Sequence, residues 1–276
     1  MMISTPPLPL GGAEALVRVN PVTLAPQRAQ LIVDSGPWLR DDAAGCSRGA
    51  LGVPLDDVTG YLVALSAPAG KWPVSLGIRI DFLADPLLDG PPMTATGELV
   101  GRDERGGTTR GTVTDDRGRV LALVVQRSHL VPVAETPTGT RIPDLVPADD
   151  VPLRSALGIR TPAPGVLELP STVFAANAMG NVHGGILIAG AEFAAMTVLG
   201  ATGAQRTTSI DISYIRPADA AGMTTFRSRV LHQGRSLAVV QVCVVNSSNK
   251  PCALATVVVQ GQPQCAQVAP GWSNRL

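Results

Sequence analysis

A chain of 276 residues, 45% hydrophobic and 16% charged, has the material for a sizeable core and is not globally disordered. It is long enough for one large domain or for two smaller ones, because single cores stop growing near ~250 residues. Lysine plus arginine equal aspartate plus glutamate at 22 each, so the bulk positive field of a protein that tracks nucleic acid is absent, and an anionic ligand must be held locally. Residues 1–26 are broken by Pro6, Pro7, Pro9, Gly11 and Gly12 and offer neither a basic start nor an uninterrupted apolar stretch, so no secretion signal is read there. Gly11-Gly12 is too short and too proline-flanked for a phosphate-cradling loop.

From there the chain reads as one pattern written twice, at an offset of about 131 to 136 residues that suits duplication of a whole domain. The first copy has a strand at 30–33, a helix at 48–65 and strands at 74–83, 93–100, 108–113 and 120–130, with a hairpin turn at 115–118. A proline-rich tether at 131–164 follows, containing a short helix at 150–157. The second copy has a strand at 167–169, a buried helix at 182–199 and strands at 209–215, 223–231, 237–245 and 252–259. After residue 260 no periodic pattern remains. The longest apolar run, 185–200, contains Glu192 and falls short of the ~20 residues that span a bilayer, so a soluble, cytoplasmic protein is expected. Four cysteines (Cys46, Cys243, Cys252, Cys265) lack CxxC spacing and three histidines (His129, His183, His232) are scattered; the thiols read as small buried residues, with no metal and no cofactor expected.

One long helix followed by antiparallel strands implies an α+β fold in which a curved sheet wraps a central helix, the hotdog architecture, here twice in tandem. The expected divisions are residues 20–131, a linker at 132–164 and residues 165–261.

The stretch that carries chemistry runs from Asn177 through His183-Gly184-Gly185 to Glu192. Two glycines at a helix start leave backbone N–H groups free, and the positive end of the helix favours a developing oxyanion. Glu192 stands among Ala191, Phe193, Ala194 and Ala195, where a carboxylate is costly without a partner or a cleft. Asn177 and His183 are suited to orienting a carbonyl or fixing the loop.

The run Asn-x5-His-Gly-Gly-x7-Glu, followed by Ser209-Ile-Asp-Ile-Ser-Tyr-Ile-Arg-Pro217, resembles the PaaI-type and 4-hydroxybenzoyl-CoA-type hotdog thioesterases. The resemblance covers about residues 152–260, whereas the first half is similar only in its strands. It implies an acyl-CoA thioesterase in which Gly184 supplies the oxyanion N–H and Glu192 is the acid, acting as nucleophile or on water. It also implies sites shared between two helices.

Geometry requires such sharing. The spacing from 184 to 192 is about 12 Å along one helix, too far for both residues to act on one carbonyl. Aligning Gly49 with Gly185 places Asp56 opposite Glu192, Ser47 opposite His183 and Arg48 opposite Gly184. Two unequal sites are therefore expected: Asn177, His183 and Gly184 with Asp56, and Glu192 with Ser47, Arg48 and Gly49. The first is favoured, with Asp57 as the acid if the register slips by one. Gly185, Thr208, Arg216 and Arg235 complete the expected substrate contacts, the arginines for the phosphates of CoA. The partner expected is an acyl-CoA, with no nucleic acid and no membrane; the exposed sheet leaves room for a further homo-oligomer. A non-catalytic acyl-CoA-binding module and an assembly scaffold are the competing readings.

Overall fold

The computed structural model describes residues 10–25, 27–137 and 150–261. Part of the tether, Cys265 and the stretch after 261 lie outside the described residues.

The first half begins with α1 (Gly12–Leu16), β1 (Val19–Ala25) and β2 (Arg28–Val33), then a small hairpin of β3 (Arg40–Asp41) and β4 (Gly45–Cys46). The helix α2 (Gly52–Ala64) follows, then β5 (Lys71–Phe82), β6 (Met93–Asp103), β7 (Gly106–Thr114) and β8 (Val120–Pro132). The second half has α3 (Leu153–Ala156), β9 (Arg160–Ala163), β10 (Val166–Leu169), α4 (Gly184–Val198), β11 (Gln205–Tyr214), β12 (Thr224–Gln233), β13 (Leu237–Val245) and β14 (Pro251–Gly261). Twelve of these strands form one antiparallel sheet in the order β1-β2-β6-β7-β8-β5-β11-β14-β13-β12-β10-β9. The order is palindromic: β5 and β11 meet in the middle, with Ile80 opposite Ile210 and Ile78 opposite Ile212, and each half is a copy of the other about that seam. Both halves use the same turn chemistry. Asp115 Oδ1 accepts from the N–H groups of Arg117 and Arg119 in the β7–β8 turn, and Asn246 Oδ1 accepts from those of Ser248 and Lys250 in the β13–β14 turn.

Each half wraps its sheet around one helix: α2 packs on β2, β5, β6 and β7, and α4 on β12, β13 and β14. α4 is buried continuously from Gly185 to Met196, as a helix apolar all round must be. The two helices also pack on each other, antiparallel, and glycine permits the approach. A methyl on Gly185 would stand 2.3 Å from Val53 N, one on Gly52 3.0 Å from Ile188, and one on Gly49 3.2 Å from Ala189 Cα. Gly185 against Val53 and Gly49 against Ala189 are the same contact made twice under the register that matches Gly49 to Gly185.

Four elements depart from expectation. The first helix starts later than residue 48, after a 3₁₀ turn at Gly49–Leu51. α1 and β1 lie in the stretch that proline and glycine made look irregular, and β9 lies in the tether. Gly11 and Gly12 turn out to be docking residues: methyl groups there would fall 2.7 Å from Ala176 O and 1.8 Å from Val173 O. Their lack of side chains lets α1 lie against the loop before α4. No helix among the described residues is long and apolar enough to cross a membrane.

Candidate active site

His183 is the N-cap of α4, its Nδ1 accepting from Gly185 N at 3.0 Å. Gly184 is thus the first helical residue, and its N–H has no hydrogen-bond partner among the described residues, as expected at a helix start. Antiparallel packing brings Asp56, from the first turn and a half of α2, against this point. A methyl on Gly184 would stand 2.4 Å from Asp56 Oδ2 and 3.0 Å from the Tyr214 hydroxyl, which donates to Gly184 O. The favoured pairing of the two halves is therefore formed: Gly184 and His183 from one meet Asp56 from the other.

Asp56 is held from the sheet side. Its Oδ1 accepts from Ser75 Oγ and from Gln126 Nε2, each at 3.0 Å, and Gln126 Nε2 also reaches Ser75 Oγ at 2.7 Å. Thr59 Oγ1 contacts Gln126 Oε1, so the amide nitrogen faces the carboxylate. Oδ2 remains on the Gly184 side. Burial raises the Asp56 pKa, and Asp57 adds to the effect, while His183, Ser75 and Gln126 oppose it.

Asp57, the neighbouring acid, does something different. Its Oδ1 lies 3.0 Å from His183 Nε2, and Glu14 of α1 approaches the same nitrogen at 3.6 Å. These three buried groups have the donor chemistry of a cation site, all within 4.8 Å. The Gly185 N–H, however, occupies the Nδ1 lone pair, which leaves the ring hydrogen on Nε2, facing the two carboxylates; the arrangement is a hydrogen-bond relay. Burial disfavours charge on His183, but Asp57, Glu14 and Asp56 together raise its proton affinity. Glu14 is itself raised to about 7, chiefly by burial and then by Asp57.

A cavity of about 500 Å³ opens at this point, lined by Asp56, Asp57, Glu14, His183, Gly184 and Tyr214, together with Asn177 and Arg216. Both tyrosines of the chain, Tyr61 and Tyr214, line it, as does Trp72. Phe82, Phe174 and Phe193 do not line it. Asn177 shapes the loop: its Oδ1 accepts from Met179 N and Asn181 N. Arg216 is exposed, with no carboxylate paired to it among the described residues.

The other expected residues lie elsewhere. Gly185 sits in the helix crossing. Thr208 falls at a bulge in β11, which turns its hydroxyl to Val258 O while Thr207 takes the inward place beside Glu192. Arg235 is exposed in the β12–β13 turn and does not line the cavity. Glu192 is only 4% exposed. Its Oε2 accepts from Ser47 Oγ at 2.6 Å and from Gly49 N at 2.8 Å. Beside it Arg48 reaches Thr207 O and shares Asp85 with Arg206. Cys46 in the same corner is pushed up to about 12 by burial, then by Asp85 and Glu192, so its thiol stays protonated. Ser75, Gln126 and Glu14 were not read from sequence as parts of the site.

Residues 179–253 match the family model described as the thioesterase superfamily. A protein from Alicyclobacillus acidocaldarius described as having a hot dog fold superposes with a TM-score of 0.56 at 13% identity, covering 92% of this chain and 98% of its own. The fold is a double hotdog. A tesB protein of Mycobacterium avium subsp. paratuberculosis has the same architecture, with a TM-score of 0.61 at 14% identity over 92% of this chain and 100% of that one. An acyl-CoA thioesterase II of Mycobacterium marinum gives 0.56 at 13% identity over 91% and 98%. No curated protein matches the sequence significantly. The comparisons thus extend the double hotdog over both halves, while the family match falls in the second.

The contact between Gly184 and Asp56 gives a direct check on this site. Gly184→Ala keeps the backbone N–H but places a methyl on the carboxylate. It is expected to cut turnover by about tenfold or more, since small displacements of a reacting group are costly. A circular dichroism melt would show whether the fold is kept.

Proposed function

We propose that this double hotdog hydrolyses acyl-CoA thioesters at a single composite site. The observation that carries the proposal is the convergence of Asp56 from one half on the unpartnered N-terminus of α4 from the other, inside a cavity. Thioester hydrolysis needs those two things: a donor for the oxyanion and a base for water. Gly184 N–H, reinforced by the positive end of α4, polarises the carbonyl. Asp56 Oδ2 takes the proton of an attacking water, while Ser75 and Gln126 hold Oδ1 and fix the carboxylate's plane. Burial supports this role, because a carboxylate of raised proton affinity is a better base. His183, Asp57 and Glu14 act beneath the site by holding the helix start in place. Arg216 is the cation available to the phosphates of CoA.

The pseudo-equivalent corner is read as a closed counterpart, in which buried Glu192 holds the 3₁₀ turn ahead of α2 and Arg48 is tied to Asp85.

The test is release of free thiol from an acyl-CoA panel. Because Asp56 must be ionised to act and its pKa is raised, activity should fall on acidification at a pH above the usual carboxylate range of about 4. A limb at or below that range would contradict Asp56 as the base. Tight acyl-CoA binding without thiol release would instead favour the binding-module reading.

A further inference from the structure

The lining of the cavity includes Asn177, Asn181 and Arg216 from the second half, and Gly60, Tyr61 and Ala64 of α2, Trp72 and Val74 of β5 and Val131 of β8 from the first. Trp72 and Val131 are directly opposed across the β5–β8 ladder.

Gly60 stands one turn after Asp56, on the same face of α2. Packing does not require a glycine there. An added methyl would meet Gln126 Nε2 at 3.4 Å and Asp56 Oδ1 at 3.9 Å, ordinary contacts, and Gly60 is not among the glycines with positive φ. A glycine inside a helix weakens it relative to alanine, so the helix itself gains nothing. The second half supplies an internal control. The register that matches Asp56 to Glu192 matches Gly60 to Met196, which is 4% exposed, and Glu192 is closed in. The open site has empty space one turn past its acid; the closed one has a methionine.

We propose that Gly60 is a specificity-determining residue that keeps open the passage from Asp56 into an acyl arm sized for a medium-length chain. From Asp56 to Ala64 the helix rises about 12 Å, which matches an extended acyl chain of roughly eight to ten carbons. Tyr61, Ala64, Trp72, Val74 and Val131 offer apolar surface to an alkyl chain, while Arg216 suits the CoA side. The inference rests on the thioesterase reading and adds the substrate class to it.

The experiment compares kcat/KM for acetyl-, butyryl-, octanoyl-, decanoyl- and palmitoyl-CoA in wild type, Gly60→Ala and Gly60→Met, with thermal melts of all three. All substrates use the same carboxylate, so the ratio between chain lengths cancels any effect of the methyl on Asp56 or Gln126. Wild type is expected to favour octanoyl- and decanoyl-CoA. Gly60→Met should lower their kcat/KM relative to butyryl-CoA by at least about tenfold, in the range by which a pocket discriminates a few methylenes. Gly60→Ala should shift the ratio in the same direction by less and melt at a higher temperature than wild type, so the test stands even if the methionine variant folds poorly. An equal fall at every chain length, or a wild type that prefers acetyl- or palmitoyl-CoA, would overturn the assignment of Gly60 while leaving the activity intact. A wild type that releases thiol from none of them would overturn the activity itself.

Discussion

Glu192→Ala is expected to lose stability rather than chemistry. The carboxylate is buried, and its Oε2 satisfies both Ser47 Oγ and Gly49 N at the 3₁₀ turn that leads into α2. Removing it strands two buried donors and leaves a void against α2, which together cost roughly 3–5 kcal/mol. For a chain of this length that is a fall in melting temperature of about 6–20 °C. Glu192→Gln keeps the volume and one acceptor oxygen, and should recover most of the loss. Thermal denaturation of the two variants checks this. If alanine melts with wild type, Glu192 is not what closes this corner.

The second large effect lies at the opposite acid and has the opposite character. Asp56→Asn keeps the volume and an oxygen for Ser75 and Gln126 but cannot take a proton. Loss of a general base costs about 10²–10⁴ in rate, and we expect about 10³ here. Stability should hold or rise, because burial already raises the Asp56 pKa and asparagine removes the charge that burial disfavours. Single-turnover thiol release under matched folding conditions reads the rate, and a melt reads the fold. The two acids match in register and differ in environment: Asp56 opens to a cavity beside a free N–H, whereas Glu192 spends its oxygen on the Gly49 N–H and the Ser47 hydroxyl.

That difference explains which parts of the site sequence could disclose. Duplication and helix geometry are enough to bring His183 and Gly184 to Asp56, because the rise of an α-helix forbids Gly184 and Glu192 from meeting on one carbonyl. They do not say which of the two composite sites is open, since that depends on side chains from distant strands. Gln126 had a local signal: Ala122, Val124 and Leu130 are the inward residues of β8, and Gln126 and Ser128 break that apolar series. Ser75 had none, because a bulge in β5 sets its facing. Glu14 was hidden by its neighbours, whose prolines and glycines suggest an irregular leader; only packing shows that Gly11 and Gly12 are what let α1 deliver it. Thr208 failed for a similar reason, since one bulge residue in β11 exchanges the inward place with Thr207. The twin strands and helices were readable because their hydrophobic periods survive duplication, whereas α1, β1 and β9 are short and lie where proline masks the pattern.

The most direct measurement is thiol release from the acyl-CoA panel by wild type, Asp56→Asn and Glu192→Gln, assayed at a temperature where all three are folded. The account predicts turnover by wild type and by Glu192→Gln, and loss of about 10³ in Asp56→Asn. Turnover retained in Asp56→Asn and lost in a folded Glu192→Gln would contradict it, and would move the active site to the other end of the helix pair.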